Sequence, residues 1–239
     1  MRKKYISVRV FFMCLLILTV AGCYGKGNEN LILPFDSTQS FQLECYYQYI
    51  NNMHDITEIK LSEVHNKQTK AFSQQETKIP VKGENFLSPY VDINDRYYEL
   101  GHFEYEDNTY KLIVYNKIGE SDTLLLNVQI NSYNATENLV DALLLGSFFG
   151  YEDIVRFSDF IIHPDYSISI DNYVVYAYEE SKDGLSTRIA KDPIPHIYLK
   201  EQYKIENGQF KLTSRMEILK NKINYIMTET LKVVLRCII

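Results

Sequence analysis

Tyr203-Lys204-Ile205-Glu206-Asn207-Gly208-Gln209-Phe210-Lys211-Leu212 carries the plainest structural signal in the chain. Tyr203 and Ile205 alternate with Lys204 and Glu206, and Phe210 and Leu212 alternate with Gln209 and Lys211. Period-2 alternation gives each strand one apolar and one polar face. Asn207-Gly208 suits a two-residue type I′ turn, because both central residues need positive φ. The segment is therefore expected to be an antiparallel hairpin lying on a core.

The same signals recur along the chain. Tyr97 to Glu106 and Thr109 to Tyr115 flank Asp107-Asn108, and Leu124 to Ile130 follows Gly119-Glu120-Ser121-Asp122. Phe157 to Ile162 and Tyr166 to Ile170 flank His163-Pro164-Asp165, and Tyr173 to Tyr178 ends at Ser181-Lys182-Asp183-Gly184. Nearer the start, Phe41, Leu43, Cys45, Tyr47 and Tyr49 alternate with polar neighbours, Asn51-Asn52 turns, and Ile56 to Val64 returns. Asn66 to Glu76 is polar and reads as a loop, and Pro80, Pro89 and Gly83 point to irregular connections. Two helices are expected. Thr136 to Leu145 places Leu139, Val140, Leu143 and Leu144 at helical spacing with Gly146 as the stop, and Leu219 to about Leu235 carries a longer apolar stripe. Leu231 to Ile239 also fits a strand. The sum is a mainly β chain, an antiparallel sandwich or open barrel with one or two helices. No glycine-rich strand-to-helix turn supports a nucleotide-binding α/β fold.

The N-terminus carries a different message. Arg2, Lys3, Lys4 and Arg9 precede the apolar run Phe11 to Val20, and no acidic residue occurs before Glu29. The run is about half the roughly 20 residues that span a bilayer as a helix. A basic start, a short apolar core and small residues describe a secretory signal. Val20-Ala21-Gly22-Cys23 resembles the lipobox of bacterial lipoproteins. The resemblance covers residues 1–23 and implies lipidation of Cys23 as the mature N-terminus. Several acyl chains at one residue give firm membrane attachment, where a single chain binds only reversibly. The expected organisation is a signal peptide over 1–22, a lipid-anchored flexible tether over 23–35 and a mainly antiparallel β domain over 36–239. Tyr24 follows the anchor, without the aspartate of inner-membrane retention, so the outer membrane is the expected location.

Loss of residues 1–22 moves the formal charge of the 239-residue chain from −6 to −10. That balance opposes nucleic-acid binding, which needs basic patches, and it serves solubility. Of the four cysteines, Cys14 leaves with the signal and Cys23 is taken by lipid, which leaves Cys45 and Cys237. An oxidising compartment permits that pair to join, but their separation in sequence does not decide it. No cysteine pair has metal-site spacing.

Candidate chemistry is sparse. Twenty tyrosines and 12 phenylalanines without tryptophan suit cross-strand packing better than a sugar-stacking platform. Asp153, Asp159, Asp165 and Asp171 recur every sixth residue, a spacing too wide for a calcium loop. His54, His65, His102, His163 and His196 stand singly, without His-x-His or His-Glu-x-x-His pairing. Gly146-Ser147-Phe148-Phe149-Gly150 lacks the spacing of a nucleophile elbow. The sequence thus nominates no catalytic, metal or cofactor residue, and Cys23 is its one site. A composition rich in Tyr, Asn, Ile and Lys resembles that of lipoproteins from gut Bacteroidetes-type bacteria, although Gly25-Lys26-Gly27 departs from the acidic run that accompanies surface export there. The expected partners are the membrane, through lipid on Cys23, and an envelope protein or glycan, not nucleic acid. The expected role is a non-enzymatic binding domain. Two alternatives stand beside it: an inhibitor or immunity-type lipoprotein, and an envelope polysaccharide hydrolase built on two carboxylates.

Overall fold

The structure, a computed structural model, describes residues 30–36, 47–51, 57–61, 69–86, 88–119, 123–151, 154–178 and 194–218. Eight strands run in sequence order, each antiparallel to the next: β6 (Arg96–Tyr105), β7 (Asn108–Ile118), β8 (Leu124–Tyr133), β9 (Leu139–Tyr151), β10 (Ile154–Ile162), β11 (Ser167–Tyr176), β12 (His196–Glu206) and β13 (Gln209–Glu217). Short pieces precede them: β1 (Phe35–Asp36), the pair β2 (Tyr47–Asn51) and β3 (Thr57–Leu61), β4 (Lys70–Ala71), a 3₁₀ turn at Glu76–Lys78, and β5 (Val81–Lys82).

The hairpin turns follow local chemistry. Asn207 and Gly208 take φ of 51° and 74°, as the Asn-Gly pair requires. The β6–β7 turn falls on Glu106-Asp107, with Glu106 at φ 53°, so Asn108 opens β7 rather than closing the turn. Between β8 and β9, Asn134 Oδ1 accepts from the backbone N–H groups of Thr136 and Asn138 and from the Thr136 hydroxyl. Tyr173 to Tyr176 continues β11 and is not a separate strand.

β9 turns one meander into two facing layers. It pairs with β8 from Leu139 to Phe148, but meets β10 only through Phe149, Gly150 and Tyr151. The edge of β9 left open is taken in parallel by β5, where Val81 pairs with Ala142. The edge of β10 that β9 leaves is taken by β1, where Phe35 pairs with Ile162. Residues 30–36 thus run from a bridge between Asn30 and His102 to β10, with Leu31, Leu33 and Phe35 against the core. The last part of the stretch read as tether is seated on the sheet.

Two apolar clusters result. The first joins both layers: Leu112, Val114, Ile130, Leu143 and Leu145 from one, Phe160, Ile162, Ile168, Ile205 and Phe210 from the other. The Tyr110 and Phe210 rings meet edge to face at 6.0 Å, tying β7 to β13. The second cluster lies on the far side of β6–β9, where Phe72, Val81 and Val91 cover Tyr97, Ile113, Tyr115, Leu139 and Leu144. Each fully buried aliphatic or Phe side chain contributes about 1.5–3 kcal/mol of transfer free energy.

The expected helix over Thr136–Leu145 is a strand instead. β9 is covered on both sides, with Leu143 and Leu145 in the first cluster and Leu139, Ala142 and Leu144 in the second. A strand buried on both faces is apolar at almost every position, so spacings of three and four arise without a helix. Gly146 is no helix stop: a Cβ there would lie 3.1 Å from Cβ of Ser158 on β10. The second expected helix, over Leu219 to Leu235, lies outside the described residues, as do Cys14, Cys23, Cys45 and Cys237. The polar stretch read as a loop over Asn66 to Glu76 contains β4 and, at its end, a buried glutamate.

Gly83 ends β5 at φ +96°, and a Cβ there would stand 2.8 Å from the carbonyl oxygen of Leu144. Gly83→Ala is expected to cost about 1–3 kcal/mol, through backbone strain and displacement of β5 from β9. Urea unfolding would show it as a lower midpoint with an unchanged slope. A variant as stable as its parent would refute the close approach.

A candidate binding groove and the buried polar sites around it

A groove of about 610 Å³ opens beside the β10–β11 turn, across β11, β12 and β13. Its size falls within the roughly 300–1,000 Å³ common to small-ligand sites. Strand register builds it. Ser167 stands opposite Lys204, and Ser169 opposite Gln202, so two serines, an amide and an ammonium share one sheet face. On β13 the register shifts, with Tyr203 opposite Leu212 and Gln202 opposite Ser214. Thr213 is the extra residue of that bulge, and its hydroxyl donates to the Gln202 carbonyl at 3.0 Å. A bulge of this kind re-aims a side chain, here toward the groove wall.

His163 and Asp165 close the turn end. His163 Nε2 and Ser169 Oγ are 3.0 Å apart, in hydrogen-bond contact. A hydrolytic relay would need a carboxylate on the other ring nitrogen. Asp165 Oδ1 is instead occupied by the Ser167 hydroxyl at 2.6 Å and the Ser167 amide at 3.1 Å. Those two bonds hold its carboxyl below the usual range, and nearby His163 adds to the effect. The groove therefore offers hydroxyl, amide, imidazole and ammonium groups to a ligand, together with the Asp165 carboxylate.

Two further polar assemblies stand apart from the groove, the first buried and the second partly exposed. On the far side of β8, the Tyr115 hydroxyl donates to Gln129 Oε1 at 2.8 Å, and Gln129 Nε2 to Asn131 Oδ1 at 2.6 Å. Asn131 Nδ2 donates to the Tyr133 oxygen at 3.0 Å, and Tyr133 to Glu76 Oε1 at 2.6 Å. Glu76 Oε2 accepts the Ser73 amide. Each member satisfies the next, which makes burial of five polar side chains tolerable. Burial and the glutamate together push the Tyr133 hydroxyl far above its ordinary range.

The second assembly sits where the loop after β5 crosses β10–β13. The Arg156 guanidinium lies 4.5 Å from the Phe86 ring and 5.1 Å from the Tyr198 ring, within cation–π range. Arg215 donates to Glu201 Oε1 at 2.8 Å and to Glu84 Oε2 at 2.8 Å. Glu201 is 1 % exposed. Burial raises its carboxyl pKa, and Arg215 opposes that rise only in part.

The sequence-nominated residues disperse in space. Asp159 and Asp171 face each other across β10–β11, while Asp165 sits in the turn beyond them. Asp171 is paired with Lys200 at 2.8 Å. His102 and His196 lie on β6 and β12, apart from the groove, and only His163 lines it. Asp153, His54 and His65 are outside the described residues. Tyr97, Tyr98, Tyr110, Tyr115, Tyr133, Tyr173 and Tyr203 are interior, so these rings fill the cores and offer no stacking surface. Gln202, Lys204, Ser169 and Thr213 escaped the sequence reading, because polar residues alternating on a strand look like any wetted face.

No family model, curated protein or solved structure matches this chain.

Proposed function

We propose that the chain is a lipid-anchored cell-envelope lipoprotein whose β domain binds a glycan in the groove between the β10–β11 turn and β13, without transforming it. The observation that carries the reading is the groove's lining, where hydroxyl, amide and ammonium groups stand in register on adjacent strands. Such groups match the dense donors and acceptors of a sugar. The wall histidine and serine touch each other, while the nearest carboxylate is occupied by Ser167. The Val20-Ala21-Gly22-Cys23 segment supports the anchor. A tethered domain meets envelope ligands at raised effective concentration.

Two measurements test this. Protein carrying Cys23→Ser, presented to a panel of envelope and dietary oligosaccharides, is expected to retain at least one of them unaltered. Release of shortened products would refute the non-catalytic reading, and retention of none would refute glycan binding. In cells, the parent is expected in the membrane fraction and Cys23→Ser in the soluble fraction. Equal membrane retention of both would refute the anchor.

A further inference from the structure

We infer that the groove selects an acidic oligosaccharide, one carrying carboxylate, sulfate or phosphate, through the ammonium group of Lys204 in its lining and that of Lys211, opposite Lys204 and just outside the lining. The inference rests on the glycan reading above. Lys204 on β12 stands directly opposite Lys211 on β13, and opposite Ser167 on its other side. Like charges directly opposed on neighbouring strands destabilise a sheet. Both lysines are exposed, and among the described residues neither pairs with a carboxylate. Lys211 Nζ instead donates to the amide oxygen of Gln209 at 2.6 Å.

Other lysines are held in different ways: Lys117 donates to the carbonyls of Ser88 and Tyr90, and Lys111 lies over the Tyr133 ring. Lys70, Lys82 and Lys200 are matched with Glu99, Asp141 and Asp171. One carboxylate, Asp165, lines the groove and keeps its negative charge, because its partners on Ser167 are neutral; the others are paired or offset from it. Asp165 accepts from Ser167, Asp171 is held by Lys200, and Glu206 stands two residues beyond Lys204 at the hairpin end, outside the groove lining. An unneutralised pair beside a groove, in a chain with 31 acidic and 25 basic residues, fits an anionic group that arrives with the ligand. Charge-assisted hydrogen bonds to such a group are about twice as strong as neutral ones. Ser169, Gln202 and Thr213 then face the uncharged hydroxyls of the same sugar.

The experiment compares four probes on the unlipidated full chain: an oligogalacturonate, a sulfated oligosaccharide, a neutral oligosaccharide of equal length and inorganic phosphate. At least one acidic oligosaccharide is expected to bind ten-fold or more tighter than the neutral one and than phosphate, and to weaken as salt rises. Lys204→Gln with Lys211→Gln is expected to erase that preference. Without ligand the same double variant is expected to melt at the parent's temperature or above it, since an opposed pair of like charges is gone. Equal binding of acidic and neutral sugars, unmoved by the double variant, would overturn the selection and leave glycan binding standing. Phosphate bound as tightly as the acidic oligosaccharides would overturn it as well. Binding of no saccharide at all would overturn both readings. A melting temperature lowered by the double variant would assign the lysines to the fold and overturn the inference.

Discussion

Raising the pH from about 9 to about 11 is expected to unfold the domain, because tyrosines packed in or against its interior resist ionisation where they stand. Burial is the largest cause in every case. It pushes the Tyr97 and Tyr110 hydroxyls up to about 12, and those of Tyr115, Tyr133, Tyr173, Tyr198 and Tyr203 higher still. In the unfolded chain each ionises near 10. The unfolded state therefore binds fewer protons above that value, and stability, complete below pH 10, is lost as the pH rises past it. Each such tyrosine removes about 1.4 kcal/mol per pH unit. Seven acting together remove on the order of 10 kcal/mol by about pH 11, comparable with the whole stability of a typical domain. Tyrosinate absorbance and circular dichroism, followed together, are expected to change in one cooperative step. Tyrosine ionisation centred near pH 10 with the β-sheet signal intact would show that these rings meet water, and would sink the account.

Asp141→Ala is expected to cost about 2–4 kcal/mol, since loss of one partner strands the others. Asp141 lies on β9 with 7 % of its side chain exposed. Its Oδ2 accepts from Lys82 Nζ on β5 at 2.5 Å and from the Phe210 amide on β13 at 2.8 Å. Lys82 Nζ also donates to the Phe210 carbonyl at 2.9 Å. One carboxylate thus fastens β13 to the paired strands β5 and β9, with which it shares no ladder. The cost stays below that of breaking a fully buried pair because Lys82 is 39 % exposed and can turn to water. Amide exchange at Phe210 and Val81 should quicken more than at Ile130 in the middle of β8. An unchanged unfolding midpoint would remove Asp141 from any fastening role.

The hairpins were legible because turn chemistry and alternation are local. Asn207-Gly208 placed β12 and β13 without knowledge of what they cover. The β6–β7 turn was displaced by one residue, since Glu106 adopts positive φ without being Gly or Asn. β9 was misread for a different reason: its periodicity was masked by a second cluster supplied by residues 72–91. Asn127, Gln129 and Asn131 on β8 alternate like a solvent face, yet all are buried. Alternation tells which residues share a side, not whether that side is wet. The groove was illegible on the same grounds, for it depends on which strands become neighbours and on the bulge that admits Thr213.

Strand order equals chain order from β6 to β13, and this shapes how the molecule assembles. Each of these strands except β12, which follows β11 after residues 177–195, finds its partner across a short connection, so most of the ladder closes small loops and is expected to form early. The Asp141 fastening joins groups 59, 69 and 128 residues apart along the chain. Contacts of such range are expected to form after the meander has collapsed, on the native side of the main barrier. The loss in Asp141→Ala accordingly falls on the unfolding rate, with the folding rate nearly unchanged. The latch that shuts the two layers governs how long the protein stays folded rather than how fast it gets there.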